Sequence, residues 1–167
     1  ITDLIAIAEK DLVVTSSLDR RICVWQMPAW KLRATFMDHS LGVQVLSYMR
    51  GTLLSAGFDW DIMAWDTDRL EKIGTMSGHK APVTAISQMV CPTNYEDMKA
   101  VSADILFEAR VWDLSGCVAG GNTIPCLMVF KLPHRPGNLH GPRHLCLPWD
   151  PARSVRGYSN MLVGGQG

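Results

Sequence analysis

No stretch of this sequence approaches the roughly 18 uninterrupted apolar residues that a membrane-spanning helix needs. No basic segment followed by an apolar run opens it, as a secretory signal would require. Cysteine is sparse and poorly spaced for cross-linking. The five cysteines, at 23, 91, 117, 126 and 146, are an odd number with no C-x-x-C pair. That argues against a disulfide framework and for a reducing compartment. A phosphate-binding loop is missing too: Ala119-Gly120-Gly121-Asn122 has no lysine and no helix signal behind it. Basic residues are neither dense nor interleaved with stacking aromatics, so neither nucleic acid nor membrane is an expected partner.

What is present fits a compact domain: 167 residues, 47% apolar, with zero net charge. The charge is unevenly divided. Residues 1–114 hold 11 Lys/Arg against 15 Asp/Glu, a net of −4, while residues 115–167 hold 5 against Asp150 alone, a net of +4. Two solvated surfaces of opposite sign account for that simply, and a basic segment lying on an acidic partner is the sharper alternative.

Tryptophans 25, 65 and 112 each close a similar stretch, at steps of 40 and 47 residues. The first runs Thr15-Ser-Ser-Leu-Asp19 to Trp25, the second Ser55-Ala-Gly-Phe-Asp59 to Trp65-Asp66, the third Val101-Ser-Ala-Asp104 to Trp112-Asp113. His39 and His79 are also 40 apart, the latter in a Gly78-His79 pair. Between these markers lie short apolar runs such as Leu12–Thr15, Ile22–Trp25 and Val83–Ile86, bounded by Gly, Asp, Pro and Ser. Such runs read as strands covered on both faces.

A period of this size with Gly-His and Trp-Asp markers resembles the WD-repeat family of β-propellers. The resemblance implies an all-β, WD40-type propeller of four-stranded blades. It also implies an incomplete one, because propellers close with about 4–8 blades and only three and part of a fourth are counted. The expected divisions are a blade at 1–38, a blade at 39–78, a degenerate blade with insertions at 79–132, and a Pro/Gly-rich loop at 133–167 that begins a fourth. The chain reads as an internal portion of a longer protein that supplies the remaining blades.

In this family a His, a Ser or Thr, an Asp and a Trp form a buried hydrogen-bonded relay in each blade. Carried over by position, the second blade supplies His39, Ser55, Asp59 and Trp65. The first supplies Thr15, Asp19 and Trp25, with its His expected upstream of Ile1. The third supplies His79 and Trp112 but departs elsewhere: Asp104 is eight residues before Trp112 rather than six, and only two after Ser102. A broken relay is expected there, with Glu108 either substituting or facing solvent.

Ser55, His39 and Asp59 are also the residue types of a nucleophilic triad. No Gly-x-Ser-x-Gly elbow surrounds Ser55, and the set recurs with the period of the fold, so the reading is structural. No catalytic residue and no cofactor is expected. His134, His140, His144 and Cys146 do not match zinc-finger spacing and read as scattered loop residues, so no metal is expected either.

The positive signal concerns binding. Trp60 follows Asp59 in a tight turn where a large aromatic has little core to fill, and Arg20, with Arg21 beside it, is its equivalent one blade earlier. These three form a candidate partner-binding rim, or Trp60 packs on its neighbouring blade. The implied function is a non-catalytic scaffold for other proteins, in the cytoplasm. A narrower similarity is to large ciliary and flagellar WD-repeat proteins, some fused to EF-hands. It implies an axonemal component near microtubules, with the basic 115–167 segment against acidic tubulin. The alternative is a substrate-recruiting or peptide-reading propeller of a multidomain signalling or ubiquitin-ligase protein.

Overall fold

Short apolar runs separated by Gly-, Asp- and Ser-bearing turns fold here as antiparallel hairpins joined end to end. A computed structural model describes residues 1–90, 98–115, 123–133, 144–146 and 162–164, with backbone alone at 89, 90, 144–146 and 162–164. The first sheet is β1 (Asp3–Ile7), β2 (Leu12–Ser16), β3 (Ile22–Gln26) and β4 (Lys31–Phe36). The second is β5 (Val43–Met49), β6 (Thr52–Gly57), β7 (Ile62–Asp66) and β8 (Glu71–Met76). The third is β9 (Val83–Val90), β10 (Met98–Asp104), β11 (Glu108–Asp113) and β12 (Cys126–Lys131). Each is a simple meander whose spatial order follows the chain. A final pair, β13 (His144–Cys146) and β14 (Leu162–Gly164), is antiparallel, with Leu145 opposite Val163.

Inner strands of successive sheets lie side by side and are tied together by side chains. Thr2 Oγ1 donates to Val43 O at 2.6 Å, and Leu46 N donates to the Asp3 carboxylate at 2.8 Å. The faces between sheets are the core. Ile7, Val14, Ile22, Val24 and Phe36 of the first sheet bury against Val43, Leu53 and Trp65 of the second. Leu54, Ala64 and Met76 of the second bury against Val83, Ala100 and Trp112 of the third. The second sheet is thus apolar on both faces, because it is sandwiched between the first and the third, and no sheet is a self-sufficient unit. The architecture is an open, all-β propeller of WD40 type.

One connection is unusual. After β11 the chain does not turn directly into β12. Thr123 crosses to the outer edge of the second sheet, where it bridges Thr75, and Ile124 N donates to Thr75 O at 3.0 Å. Ile124 is buried there beside Leu114 and Met76. The chain then returns, Asp113 N donating to Pro125 O at 3.1 Å. This strap fastens the third blade to the rim of the second. The insertion at 91–97, the histidines at 134 and 140 and the segment 147–161 lie outside the described residues.

Candidate functional site

Each sheet has a hairpin between its second and third strands, and the three hairpins share one end of the propeller. Their length is constant: Thr15, Ser55 and Ser102 each stand ten residues before Trp25, Trp65 and Trp112. Each indole N–H donates to the hydroxyl on the neighbouring strand, at 3.1, 2.8 and 2.8 Å respectively. A buried indole N–H needs an acceptor, and a hydroxyl one strand away supplies it without disturbing the backbone ladder.

In the second blade the chain of contacts continues inward. His39 Nε2 lies 2.8 Å from Ser55 Oγ, and His39 Nδ1 lies 2.7 Å from Asp59 Oδ2. Asp59 Oδ2 also accepts from Ser40 N at 3.0 Å. The carboxylate therefore pins the hairpin to the loop that enters its own blade. Burial pushes the Asp59 carboxyl upward, but the hydrogen bond and charge of His39 and the Ser40 N–H outweigh it, leaving Asp59 below the usual carboxylate range. Ser55 is fully buried, so its hydroxyl, bonded to both His39 and Trp65, meets no substrate.

The third blade corrects the expectation drawn from spacing. His79 Nε2 lies 2.7 Å from Ser102 Oγ, and His79 Nδ1 lies 3.0 Å from Asp104 Oδ2. Its relay is unbroken, and Asp104, not Glu108, supplies the carboxylate. The reason is local. Asp104 holds the place that Gly57 holds one blade earlier: both pair with the first residue of the inner strand, after the same register shift. The carboxylate is delivered from the end of β10 instead of from the turn, and its other oxygen accepts from Leu106 N and Glu108 N at 2.9 and 3.0 Å. Glu108 is occupied elsewhere, its Oε1 accepting from Arg110 Nε and Nη2 at 2.9 and 2.8 Å.

His79, Asp104 and Glu108 bring one donor atom each within 4.8 Å of one another, a distance compatible with a cation. Yet the Arg110 guanidinium already fills Glu108, and Ser102 and Asp104 take both imidazole nitrogens. The cluster is satisfied as it stands. Of the residues weighed as zinc ligands, His134 and His140 lie outside the described residues, and nothing is described of the side chains of His144 and Cys146.

Burial lowers the His79 pKa from its ordinary 6.5, against an opposing pull from Asp104. A lowered histidine is more easily protonated unfolded than folded, so stability is fullest above the unfolded value and drains as pH falls below about 6.5. Urea unfolding across a pH series should show a midpoint that is flat above that value and declines beneath it. A midpoint that rises between pH 6.5 and 5 would contradict this assignment.

The first blade differs. The Asp19 side chain is 58% exposed and accepts from Arg21 N at 3.1 Å. No imidazole reaches it among the described residues. Thr15 and Trp25 alone keep their contact.

The rim above these relays carries the sequence-derived candidates. Arg20, Trp60 and Phe107 occupy one equivalent turn position, five residues before each Trp, with φ of 75°, 69° and 60°. Non-glycine residues seldom adopt this left-handed region, so the backbone here is set by the hairpin and not by preference. Trp60 is 47% exposed and Arg20 and Arg21 are exposed, whereas Phe107 is buried. Sequence reasoning missed the residues two positions earlier. Leu18, Phe58 and Ile105 are 62%, 38% and 43% exposed, each seven residues before its Trp. The signal was available as an apolar residue at one fixed offset in every turn.

No family model matches the chain. It is 26% identical over 88 residues to the Cilia- and flagella-associated protein 337 B of Tetrahymena thermophila, covering 52% of this chain and 7% of that protein. It is 29% identical over 105 residues to WD repeat-containing protein 1 of Xenopus tropicalis, covering 62% and 17%. To Mitochondrial division protein 1 of Mycosarcoma maydis it is 27% identical over 92 residues, covering 54% and 10%. The matches thus span less than a fifth of each curated relative. Among solved structures, the WD40 β-propeller domain of Doa1 superposes with a TM-score of 0.64 at 21% identity, covering 87% of this chain and 43% of that one. With blades that repeat at the Trp period and a relay buried in the hairpin of each of the second and third, the chain has the fold of a WD40-type β-propeller and is similar in sequence to a WD repeat-containing protein.

Proposed function

We propose that this propeller segment is a rigid, non-catalytic platform for other proteins, and that its rim at Arg20, Arg21 and Trp60 takes the partner. The observation that carries this reading is Trp60. It is a large aromatic, 47% exposed, in a turn whose neighbour Asp59 is locked to His39 and Ser40. A side chain presented on fixed backbone loses little entropy on binding, and Trp and Arg dominate interface energetics. The relays serve as its foundation. They hold the hairpins in register so that the rim keeps one shape.

Replacing Trp60 with alanine should weaken partner binding by at least about 2 kcal/mol, some thirtyfold. The thermal midpoint should barely move, since exposed substitutions stay within about 0.5 kcal/mol. Parallel loss of binding and of the midpoint would instead make Trp60 a packing residue.

The assembly we propose is the ciliary or flagellar axoneme. The likeness to a cilia- and flagella-associated protein supports it, as does the fit between the net positive charge of residues 115–167 and acidic tubulin. Cross-linking of intact axonemes should join lysines of this chain, Lys72 or Lys80 among them, to tubulin or another axonemal protein. Links confined to proteins from outside the axoneme would overturn the placement.

A further inference from the structure

Cations along the outer margins of the second and third sheets are matched by carboxylates. Arg69 lies 3.9 Å from Asp66 and 3.6 Å from Glu71, and Lys72 lies 2.7 Å from Asp38. Lys131 of β12 lies 3.6 Å from Glu108. The first sheet breaks this pattern. From Gln26 to Met37 it carries Lys31 and Arg33, both exposed, and no Asp or Glu. Among the described residues neither cation has an ion pair. Charge on an outer strand blunts unwanted strand pairing, but mixed and internally paired charges do that on β8, without leaving a net field.

The two cations also converge. Gln26 and Lys31 are directly opposed in the β3–β4 ladder, so they share a face, and Arg33 sits at the bulge in that ladder. Arg33 Nη1 donates to Gln26 Oε1 at 3.1 Å, while Gln26 Nε2 donates to Asp11 O at 3.1 Å. The amide thereby ties the guanidinium to the β1–β2 turn. Val24, two residues before Gln26 on the same face, buries against the second sheet. Lys31 and Arg33 therefore flank the outer mouth of the crevice between the first two sheets. A blade stacked on the other face of the first sheet would leave them open.

We infer that Lys31 and Arg33 form a docking site for a short acidic segment of a partner protein, at the end of the first sheet away from the relay hairpins. Charge complementarity selects the occupant. Gln26 engages one Arg33 nitrogen and leaves the other donors of the fork, which match a carboxylate. A guanidinium already held in place loses less freedom on binding. Two positions along a strand span about 7 Å, so Lys31 and Arg33 suit carboxylates on alternate residues of an extended chain. Two cations are few for a polyphosphate backbone, and Glu9 and Asp11 stand exposed on the adjoining turn. That balance favours a short acidic peptide over nucleic acid.

The test is fluorescence anisotropy of a labelled peptide of alternating Glu and Ser, titrated with the full chain at low and at high salt. The expected result is saturable binding that weakens as salt rises. Arg33→Gln should weaken it by about tenfold or more, the usual worth of a charged hydrogen bond, with the thermal midpoint unmoved. Should Arg33→Gln lower the midpoint, Lys31→Gln, which removes no hydrogen bond within the chain, must show a loss of the same kind. Arg69→Gln is the control, because that cation is already matched by Asp66 and Glu71, and it should leave the affinity unchanged. The inference is overturned by no binding at low salt, by equal affinity in Arg33→Gln and wild type, or by a single-stranded oligonucleotide binding more tightly than the peptide. None of these outcomes touches the rim at Trp60, which is tested separately.

Discussion

Trp65→Ala should cost about 3–5 kcal/mol, the range for removing a buried aromatic. A typical domain has only about 5–15 kcal/mol in total, so the cooperative transition would be close to lost at physiological temperature. The size of the effect follows from three losses at one position. Trp65 is almost wholly buried, so its truncation opens a cavity between the first and second blades. Its ring stacks on Phe36 with centroids 4.3 Å apart and planes 8° from parallel, and that contact goes too. Its indole N–H also leaves Ser55 with one partner fewer. Trp25→Ala, at the same position one blade earlier, should cost less, because Trp25 is only half-buried and has no described aromatic partner. Urea midpoints of the two variants, measured side by side, decide it. Equal losses would mean that Trp65 is not an interblade wedge.

His39→Ala comes next. It removes the group between Ser55 and Asp59, and the Asp59 side chain is only 4% exposed. One carboxylate oxygen already lacks a partner and the other would keep only the Ser40 N–H. Stripping the partner from a buried charge costs about 3–5 kcal/mol. The internal control is Asp19→Ala in the first blade, where the carboxylate sits in solvent; its effect should stay within about 0.5 kcal/mol. The same measurement on both variants separates a buried relay from a surface turn. A His39→Ala midpoint matching wild type would remove the relay from any account of stability.

Much of this is legible in the sequence. The steps between Trp25, Trp65 and Trp112 located the blades, because an indole that must both bury and donate tolerates few positions on a strand. The four residues of the second blade could be named individually for the same reason. Asp104 departs from the expectation because spacing along the chain is not distance in space. Two neighbouring positions can aim a carboxylate at one imidazole, one from a turn and one from a strand end, and only the pairing of β10 with β9 shows which is used. The strap was invisible for a different reason. Ile124 is a single apolar residue between a Gly-rich stretch and Pro125, and a lone apolar side chain has no period to reveal where it goes. The rim is half visible in the sequence: Trp60 stands out by size, while Leu18, Phe58 and Ile105 show only as an apolar residue at one fixed offset from each Trp.

The strap also sets an order of events during synthesis. The second blade has all four strands once Met76 leaves the ribosome, yet the bond that closes its outer margin waits for Thr123 and Ile124 to emerge. Until then Met76 and Thr75 lack their final neighbours, and a nascent chain held anywhere between presents an unfinished margin to chaperones. Completion of one repeat is thus postponed to the translation of the next, which couples the two as a single step in biogenesis.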